Sequence, residues 1–107
     1  ECDWSSDVCS SDLVMAGSAP LSMNPFGMLT SQNEGIVEII SEKKYGEILG
    51  IHILGDGACE MAGQAVLAIQ METTLEELAK AQFPHPTLSE SLPEAARDAL
   101  GWPIYLP

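Results

Sequence analysis

Residues 35–55 read GIVEIISEKKYGEILGIHILG, and this stretch decides the fold. Two runs rich in β-branched residues, at 35–40 and 47–54, stand on either side of the polar segment SEKKYG. Runs of this length and composition predict β-strands, and the short polar segment between them predicts a turn. The two strands are therefore expected to pair as an antiparallel hairpin.

The first strand of this hairpin has two distinct faces, because side chains alternate along a strand. The alternation places Val37 and Ile39 on one face, and Ile36, Glu38 and Ile40 on the other. Gly50 lies inside the second strand, where glycine predicts a β-bulge or a close approach of another backbone. The hairpin then ends at the segment Gly-Asp-Gly, residues 55–57.

The segment after the hairpin consists mainly of small and apolar residues, and its apolar residues recur with helical periodicity. Residues that recur at helical spacing within 58–71 are Met61, Ala65, Ala68 and Ile69. This pattern predicts a helix over the segment. Because the helix carries so little charge, we expect most of its surface to be covered, by the sheet on one side and by another subunit on the other.

Three capping boxes follow, each with Ser or Thr three positions before Glu, at residues 74–77, 87–90 and 91–94. Such a box marks the start of a helix. The first predicts a short helix through Ala81. Pro93 would lie beyond the first turn of a helix that began at the second box, where proline costs about 3 kcal/mol. We therefore expect a kink or a restart near Pro93, and then helix to about Leu100.

The chain before the hairpin is less regular. A short strand is expected at residues 14–16, followed by three breakers: Gly17, Pro20 and Pro25. Residues 4–13 read WSSDVCSSDL, which repeats Ser-Ser-Asp and has no helical or strand periodicity. This string resembles translated sequencing-adapter read-through. Residues 1–13 are therefore expected to be non-native and disordered.

The remainder, residues 14–107, is expected to form one domain. Its last seven residues read GWPIYLP and are expected to dock through Trp102, Ile104 and Tyr105. Together the elements predict an α+β fold, in which a small antiparallel sheet packs against helices.

Composition excludes several classes of function. The net charge is −12, with only four Lys and Arg among 107 residues, which argues against nucleic acid or an anionic membrane as a partner. No apolar run reaches the roughly 20 residues of a membrane span. The three cysteines, at 2, 9 and 59, contain no C-x-x-C pair. We therefore expect no metal site and no disulfide framework, and a reducing, cytoplasmic setting.

Residues 84–90 read PHPTLSE and contain the candidate site. Histidine suits proton transfer near neutral pH, and a carboxylate on one ring nitrogen would aim it as a base. His85 and Glu90 are candidates for these two roles. In the plainer alternative His85 is structural and Glu90 only caps Thr87, a use of Glu90 that we expect to compete with the first. His52, in mid-strand, is expected to be a core or edge histidine.

The order and spacing of these segments also carry a family resemblance. Over residues 14–100 the chain resembles the C-terminal dimerisation domain of dihydrolipoyl dehydrogenases, which are flavin-dependent pyridine nucleotide–disulfide oxidoreductases. The strongest parts are GEILGIHILG at 46–55 and HPTLSE at 85–90. The resemblance implies a truncated dimerisation domain at 14–107 that pairs with a second copy of the full-length chain in a homodimer.

The resemblance implies a role for each site residue. The family's catalytic histidine falls on His85 and its orienting glutamate on Glu90, and the backbone of His85 and Pro86 is expected near the partner's FAD. In this family the histidine takes a proton from a dithiol, whose thiolate attacks a redox-active disulfide, and electrons pass through FAD to NAD. The dihydrolipoyl group of a 2-oxo acid dehydrogenase complex is the expected substrate. By itself the chain is expected to bind neither cofactor and to be inactive.

Two other interpretations remain open. The chain would be a non-catalytic association module if His85 is structural, or the same domain of another disulfide reductase, such as glutathione reductase. Some positions depart from the family pattern: Glu72 replaces a frequent helix-ending glycine, Phe83 and Pro84 replace the commoner His and Ala, and Pro93 interrupts the last helix. Cys2 and Cys9 lack the spacing of the family's redox-active pair.

Overall fold

The computed structural model describes residues 13–106, so the predicted non-native segment lies outside the described residues except for Leu13. In chain order the elements are β1 (Val14–Pro20), α1 (Pro25–Thr30), β2 (Gly35–Glu42), β3 (Ile48–Gly55), α2 (Ala58–Gln70), α3 (Leu75–Ala79) and α4 (Ser91–Leu100). Short 3₁₀ turns at Leu21–Met23 and Leu88–Glu90 come before α1 and α4. The predicted α+β class is confirmed.

The three strands form one antiparallel sheet in the order β1-β2-β3. The predicted hairpin is present, with Glu38 of β2 opposite His52 of β3. Ile40 pairs with Gly50, and the next residue of β2 pairs two positions further back in β3, so Leu49 has no partner in the ladder. Leu49 is the extra residue of a β-bulge, which confirms the irregularity predicted at Gly50.

The two faces of the sheet differ as the alternation predicts. Val37 and Ile39 are fully buried on the core face. Ile36 and Leu54 lie opposite each other on the other face and are exposed. Side chains from three helices complete the core: Met61 from α2, Leu75 and Leu78 from α3, and Leu92, Ala95 and Ala96 from α4.

Strand β1 is longer than the sequence pattern predicts. Gly17 and Pro20, two of the expected breakers, both pair with β2. Glycine is needed at position 17 because α4 crosses the strand there: a Cβ would lie 2.3 Å from the carbonyl oxygen of Ala95. Pro20 is tolerated because it is the last residue of an edge strand, where a missing N–H breaks no ladder.

Helix α1 is not predicted by the sequence pattern. Pro25, an expected breaker, is its first residue, where the missing N–H has no partner to lose. Asn24 caps the helix, because its Oδ1 accepts a hydrogen bond from the backbone N–H of Gly27 at 2.9 Å. The pattern Asn-Pro, with asparagine as cap and proline at the first helical position, is the local signal for this helix.

Helix α2 lies where the periodicity predicts it, and the side that faces the sheet is covered as expected. Met61 and Ala65 are its buried residues. Leu67 is 63 % exposed, and Val66 and Met71 are also exposed. The chain therefore covers one side of α2, and cover by a second subunit on the other side stays a prediction. None of the helices within residues 13–106 has the length and apolar character needed to cross a membrane.

Helix α3 begins at the predicted capping box. The Thr74 hydroxyl accepts a hydrogen bond from the Glu77 N–H at 3.2 Å, and the Glu77 carboxylate accepts one from the Thr74 N–H at 3.0 Å. The helix ends at Ala79, earlier than the predicted Ala81. Thus the local cap defines where the helix starts.

Helix α4 shows the predicted restart, since the 3₁₀ turn at Leu88–Glu90 leads into it. Pro93 is the third residue of the helix, where no intrahelical N–H bond is required. The predicted cap at Ser91 is wrong, because Ser91 lies inside the helix. Its hydroxyl instead accepts a hydrogen bond from Asn24 Nδ2 at 3.1 Å, which ties α4 to the start of α1.

Candidate functional site

The candidate site lies on the segment between α3 and α4. The Thr87 hydroxyl donates a hydrogen bond to the carbonyl oxygen of Pro84 at 2.8 Å. Asn24 Nδ2 donates another to the carbonyl oxygen of Thr87 at 3.0 Å. The peptide bond between His85 and Pro86 is cis, and both residues are exposed. The histidine is thus presented on the surface by a turn that hydrogen bonds hold in place.

His85 and Glu90 form a hydrogen-bonded pair. His85 Nδ1 lies 3.0 Å from Oε1 and 2.9 Å from Oε2 of Glu90. The His85 side chain is 57 % exposed, whereas that of Glu90 is 9 % exposed. A carboxylate only accepts hydrogen bonds, so the contact calls for a hydrogen on Nδ1, and in a neutral ring this arrangement leaves the free lone pair on Nε2. The structure brings together the two residues that the sequence pattern paired, and their catalytic role stays a prediction.

Glu90 serves a second purpose at the same time. Its Oε2 also accepts a hydrogen bond from the backbone N–H of Thr87 at 2.9 Å. The expectation that capping Thr87 and holding His85 compete is therefore wrong. A carboxylate has about four lone-pair positions, which is enough for both donors. One buried side chain orients the histidine and closes the turn that carries it.

Tyr105 completes the cluster, although the sequence analysis expects it only as a docking residue. Its ring stacks on that of His85, with 6.4 Å between centroids and 13° between planes. Its hydroxyl lies 3.4 Å from both His85 Nδ1 and Glu90 Oε1. Burial and the negative charge of Glu90 raise the pKa of Tyr105 above its ordinary value. The phenol therefore stays protonated and can donate to the carboxylate.

Glu94 holds the tail (residues 101–106) against this cluster. Its Oε2 accepts hydrogen bonds from the backbone N–H groups of Ile104, Tyr105 and Leu106, at 3.0, 2.8 and 3.2 Å. The side chains of Trp102 and Ile104 are exposed, so the expectation that they dock the tail is wrong. A buried carboxylate needs hydrogen-bond donors, and the tail backbone supplies them.

Arg97 balances the charge of Glu94. Its Nε and Nη2 donate hydrogen bonds to Glu94 Oε1 at 3.1 and 3.0 Å. Its Nη1 donates to the carbonyl oxygen of Ala79 at the end of α3, at 3.0 Å. Both members of the pair are buried. The sequence could have predicted this ion pair, because side chains of opposite charge three positions apart on a helix can meet.

Other candidate residues lie apart from this cluster. His52 is exposed on β3, an edge strand, opposite Glu38 on the face away from the core. This agrees with the expectation of an edge histidine. Cys59 is an exposed free thiol at the start of α2. Within residues 13–106, no group of three or more His, Cys, Asp or Glu is arranged to hold a metal ion.

Comparison with known protein families identifies the domain. The family described as pyridine nucleotide-disulphide oxidoreductase, dimerisation domain, matches residues 10–96. The chain belongs to this family. The match confirms the resemblance found in the sequence, and it includes both members of the His85–Glu90 pair. The dimerisation domain is thus the unit that carries the candidate site.

The relatives of this dimerisation domain include dihydrolipoyl dehydrogenases. Dihydrolipoyl dehydrogenase 3 of Pseudomonas aeruginosa is 38 % identical over 85 residues, a match that covers 79 % of this chain and 18 % of the relative. The mitochondrial dihydrolipoyl dehydrogenase of Pisum sativum is 36 % identical over 90 residues, covering 84 % of this chain and 18 % of the relative. The chain therefore spans about a fifth of the length of these curated relatives.

Solved structures share the fold. LpdA from Mycobacterium tuberculosis superimposes with a TM-score of 0.79 at 27 % identity, covering 90 % of this chain and 21 % of that chain. The HOCl-induced flavoprotein disulfide reductase RclA from Escherichia coli superimposes with a TM-score of 0.73 at 21 % identity, covering 82 % of this chain and 20 % of that chain. The second likeness concerns the fold alone.

Proposed function

We propose that this dimerisation domain belongs to a dihydrolipoyl dehydrogenase and supplies His85 and Glu90, as an acid–base pair, to a disulfide site built by a second subunit. The observation that carries the proposal is the geometry of the pair. Glu90 is buried and holds Nδ1 at 2.9 Å, while the imidazole itself remains largely exposed. The names of the similar relatives support the substrate class.

The pair is suited to take a proton from a thiol. A thiol with a pKa of about 8.5 is mostly protonated at neutral pH, whereas the thiolate is the nucleophile. With Nδ1 turned to Glu90, Nε2 accepts the proton of a dihydrolipoyl S–H group. The thiolate then attacks one sulfur of a redox-active disulfide: a new S–S bond forms, the old one breaks, and the second sulfur leaves as a thiolate. The ionised Glu90 stabilises the imidazolium that results.

FAD and NAD enter the proposal through other parts of the full-length protein. Two large grooves flank α2 and have volumes of about 370 and 410 Å³. Their linings are mainly apolar side chains, which do not fit the phosphates of a dinucleotide, since these need backbone N–H groups or basic residues. We therefore assign neither cofactor to this chain, and we expect the backbone of His85 and Pro86 to approach a flavin held by the partner.

The remaining partners follow from the same assignment. We propose a homodimer of the full-length chain in the cytoplasm that serves a 2-oxo acid dehydrogenase complex, and the family description supports the pairing of two copies. A non-catalytic association module is the second candidate. It is favoured by the bond between Glu90 and the Thr87 N–H, which would stabilise the turn without any catalysis.

A chimera tests the catalytic assignment. Residues 14–107 replace the matching segment of dihydrolipoyl dehydrogenase 3 from Pseudomonas aeruginosa, and NAD-linked oxidation of dihydrolipoamide is measured. We expect an active chimera in which His85→Ala lowers kcat/KM by about 10²- to 10⁴-fold, because a positioned general base is lost. Glu90→Gln should change kcat/KM in the same direction, because the amide holds Nδ1 less well.

The second histidine provides the matched control. His52 lies on the edge strand, and His52→Ala should leave kcat/KM of the chimera unchanged. If His85→Ala were as active as His52→Ala, the catalytic role would be refuted and the association module would remain.

A further inference from the structure

Two buried glutamates connect the tail to the proposed site. Glu90 and Glu94 lie four positions apart at the start of α4, and each directs its carboxylate to a different partner. Glu90 holds His85, whereas Glu94 holds the tail backbone. Tyr105 contacts both of them: its N–H donates to Glu94 Oε2 at 2.8 Å, and its hydroxyl lies 3.4 Å from Glu90 Oε1.

Glu94 is an anchor and not a surface acid. The N–H groups of three consecutive tail residues, 104–106, converge on its carboxylate, and Arg97 supplies the opposite charge. A buried carboxylate is costly unless it is both paired and hydrogen-bonded. Because the tail supplies these hydrogen bonds, its docked position and the burial of Glu94 stabilise each other.

We propose that Tyr105 is a positioning residue for the His85–Glu90 pair and that Glu94 is the anchor that holds it there. This inference rests on the proposed function, because it concerns the aim of the proposed base. An imidazole on a surface turn can rotate about its side-chain bonds. The stacked ring of Tyr105 restricts that rotation, and its hydroxyl faces the carboxylate oxygen that also faces Nδ1.

The contribution of Tyr105 is expected to come mainly from packing. The distance of 3.4 Å between the Tyr105 hydroxyl and the Glu90 carboxylate is long for an O–H···O hydrogen bond. Such bonds usually have an oxygen–oxygen distance of about 2.7 Å. The ring, in contrast, lies nearly parallel to the imidazole. Removing only the hydroxyl should therefore have a smaller effect than removing the whole ring. This ordering separates a stacking role from a hydrogen-bonding role.

The first experiment uses the chain itself. NMR spectra of the ¹⁵N-labelled 107-residue protein report the tautomer of each histidine and the exchange of His85 Nδ1–H with water. In the wild type we expect His85 in the Nδ1–H form. Tyr105→Leu should speed exchange of that hydrogen about tenfold by local opening, with His52 unchanged as the internal reference. Tyr105→Phe should produce a smaller increase, because the ring remains.

Two further variants test the anchor. Glu94→Gln weakens the hold on the tail and should reproduce the spectrum of Tyr105→Leu at His85. If Glu94→Gln does not fold, Tyr105→Leu still decides the positioning role of Tyr105, and Glu94→Asp, which keeps the negative charge beside Arg97 but shortens the reach to the tail backbone, tests the anchor. Trp102→Leu changes an exposed residue of the same tail and should leave the His85 signals as in the wild type. A His85 signal that is identical in the wild type and in Tyr105→Leu would overturn the proposal.

The chimera separates this inference from the proposed function. There, Tyr105→Leu should lower kcat about tenfold and leave KM unchanged, because a misaimed base slows the chemical step without weakening binding. Full kcat in Tyr105→Leu, with a large loss in His85→Ala, would overturn the positioning role alone. Full activity in His85→Ala would instead overturn the proposed function.

Discussion

Helices α2 and α4 differ in burial in the opposite sense to what their compositions predict. The more apolar helix, α2, is the more exposed one, and the more polar helix, α4, is the more buried one. Helix α2 consists largely of small and apolar residues, yet its buried residues are limited to Met61 and Ala65. Helix α4 reads SLPEAARDAL, and residues 91–97 are all buried. Charged residues are rarely fully buried unless they are paired, so composition alone would assign α4 to the surface and α2 to the interior.

Partners explain the difference between the two helices. On α4, Arg97 pairs with Glu94, and the Asp98 carboxylate accepts a hydrogen bond from the backbone N–H of Ser18 in β1 at 3.0 Å. A buried polar group is tolerated once it is hydrogen-bonded, so α4 can lie in the interior. The apolar surface of α2 has no such hydrogen bonds to make and is stabilised only when another surface packs against it. We propose that a second copy of the chain supplies that surface.

A matched pair of leucines should show the largest difference between the helices. Leu92 in α4 is 1 % exposed, and Leu67 in α2 is 63 % exposed. Leu92→Ala should lower the free energy of unfolding by about 2–5 kcal/mol, because it leaves a cavity in the core. Leu67→Ala should change the free energy of unfolding by less than about 0.5 kcal/mol.

Urea unfolding at low protein concentration measures both leucine variants. Equal losses for the two variants under these conditions would contradict the comparison. A loss for Leu67→Ala that emerges only at high protein concentration would sharpen it, since that result would mean that a second copy covers α2.

Substitutions just after the C-terminal ends of the two helices should change the free energy of unfolding by less than Leu92→Ala does, and in opposite directions at the two ends. Each is followed by a residue in the left-handed region: Gly101 (φ 93°) after α4 and Glu72 (φ 56°) after α2. Glycine adopts this conformation without strain, so Glu72→Gly should raise the free energy of unfolding by about 0.5–1 kcal/mol. Gly101→Ala should lower it by a similar amount. Thermal unfolding tests both, and destabilisation by Glu72→Gly would be the contrary result.

The smallest effect is expected on stability in alkaline solution. There Tyr105, which contacts Glu94 of α4, should contribute to the pH dependence of the free energy of unfolding in a way that the exposed Tyr45 does not. Tyrosine in an unfolded chain has a pKa of about 10, and the folded protein raises the pKa of Tyr105 above this value. As the pH rises past about 10, the unfolded state loses this proton first, so stability falls there and is unaffected below. Tyr105→Phe should lack this part of the decline, and Tyr45→Phe should retain it. Urea unfolding at several alkaline pH values measures the difference, and identical curves for the two variants would exclude it.

The features that the sequence predicts correctly depend on neighbours along the chain. The capping box at Thr74 and the meeting of His85 with Glu90 involve residues three and five positions apart, and the hairpin joins two strands through one short turn, so local backbone geometry largely decides which residues meet. The errors share a different cause. The length of β1 depends on the crossing of α4 at Gly17, and the docking of the tail depends on a carboxylate, Glu94, whose burial no local pattern reveals.

The sequence by itself determined the β2–β3 hairpin, the starts of α2 and α3, and a spacing that lets Glu90 reach His85. Only the tertiary structure decided that a polar helix lies inside, that Tyr105 stacks on the histidine, and that Ser18 meets Asp98 across 80 positions of chain. The physical reason is one of range. Local backbone preferences act over a few residues, whereas the stability of a buried charge depends on donors that distant parts of the chain bring to it.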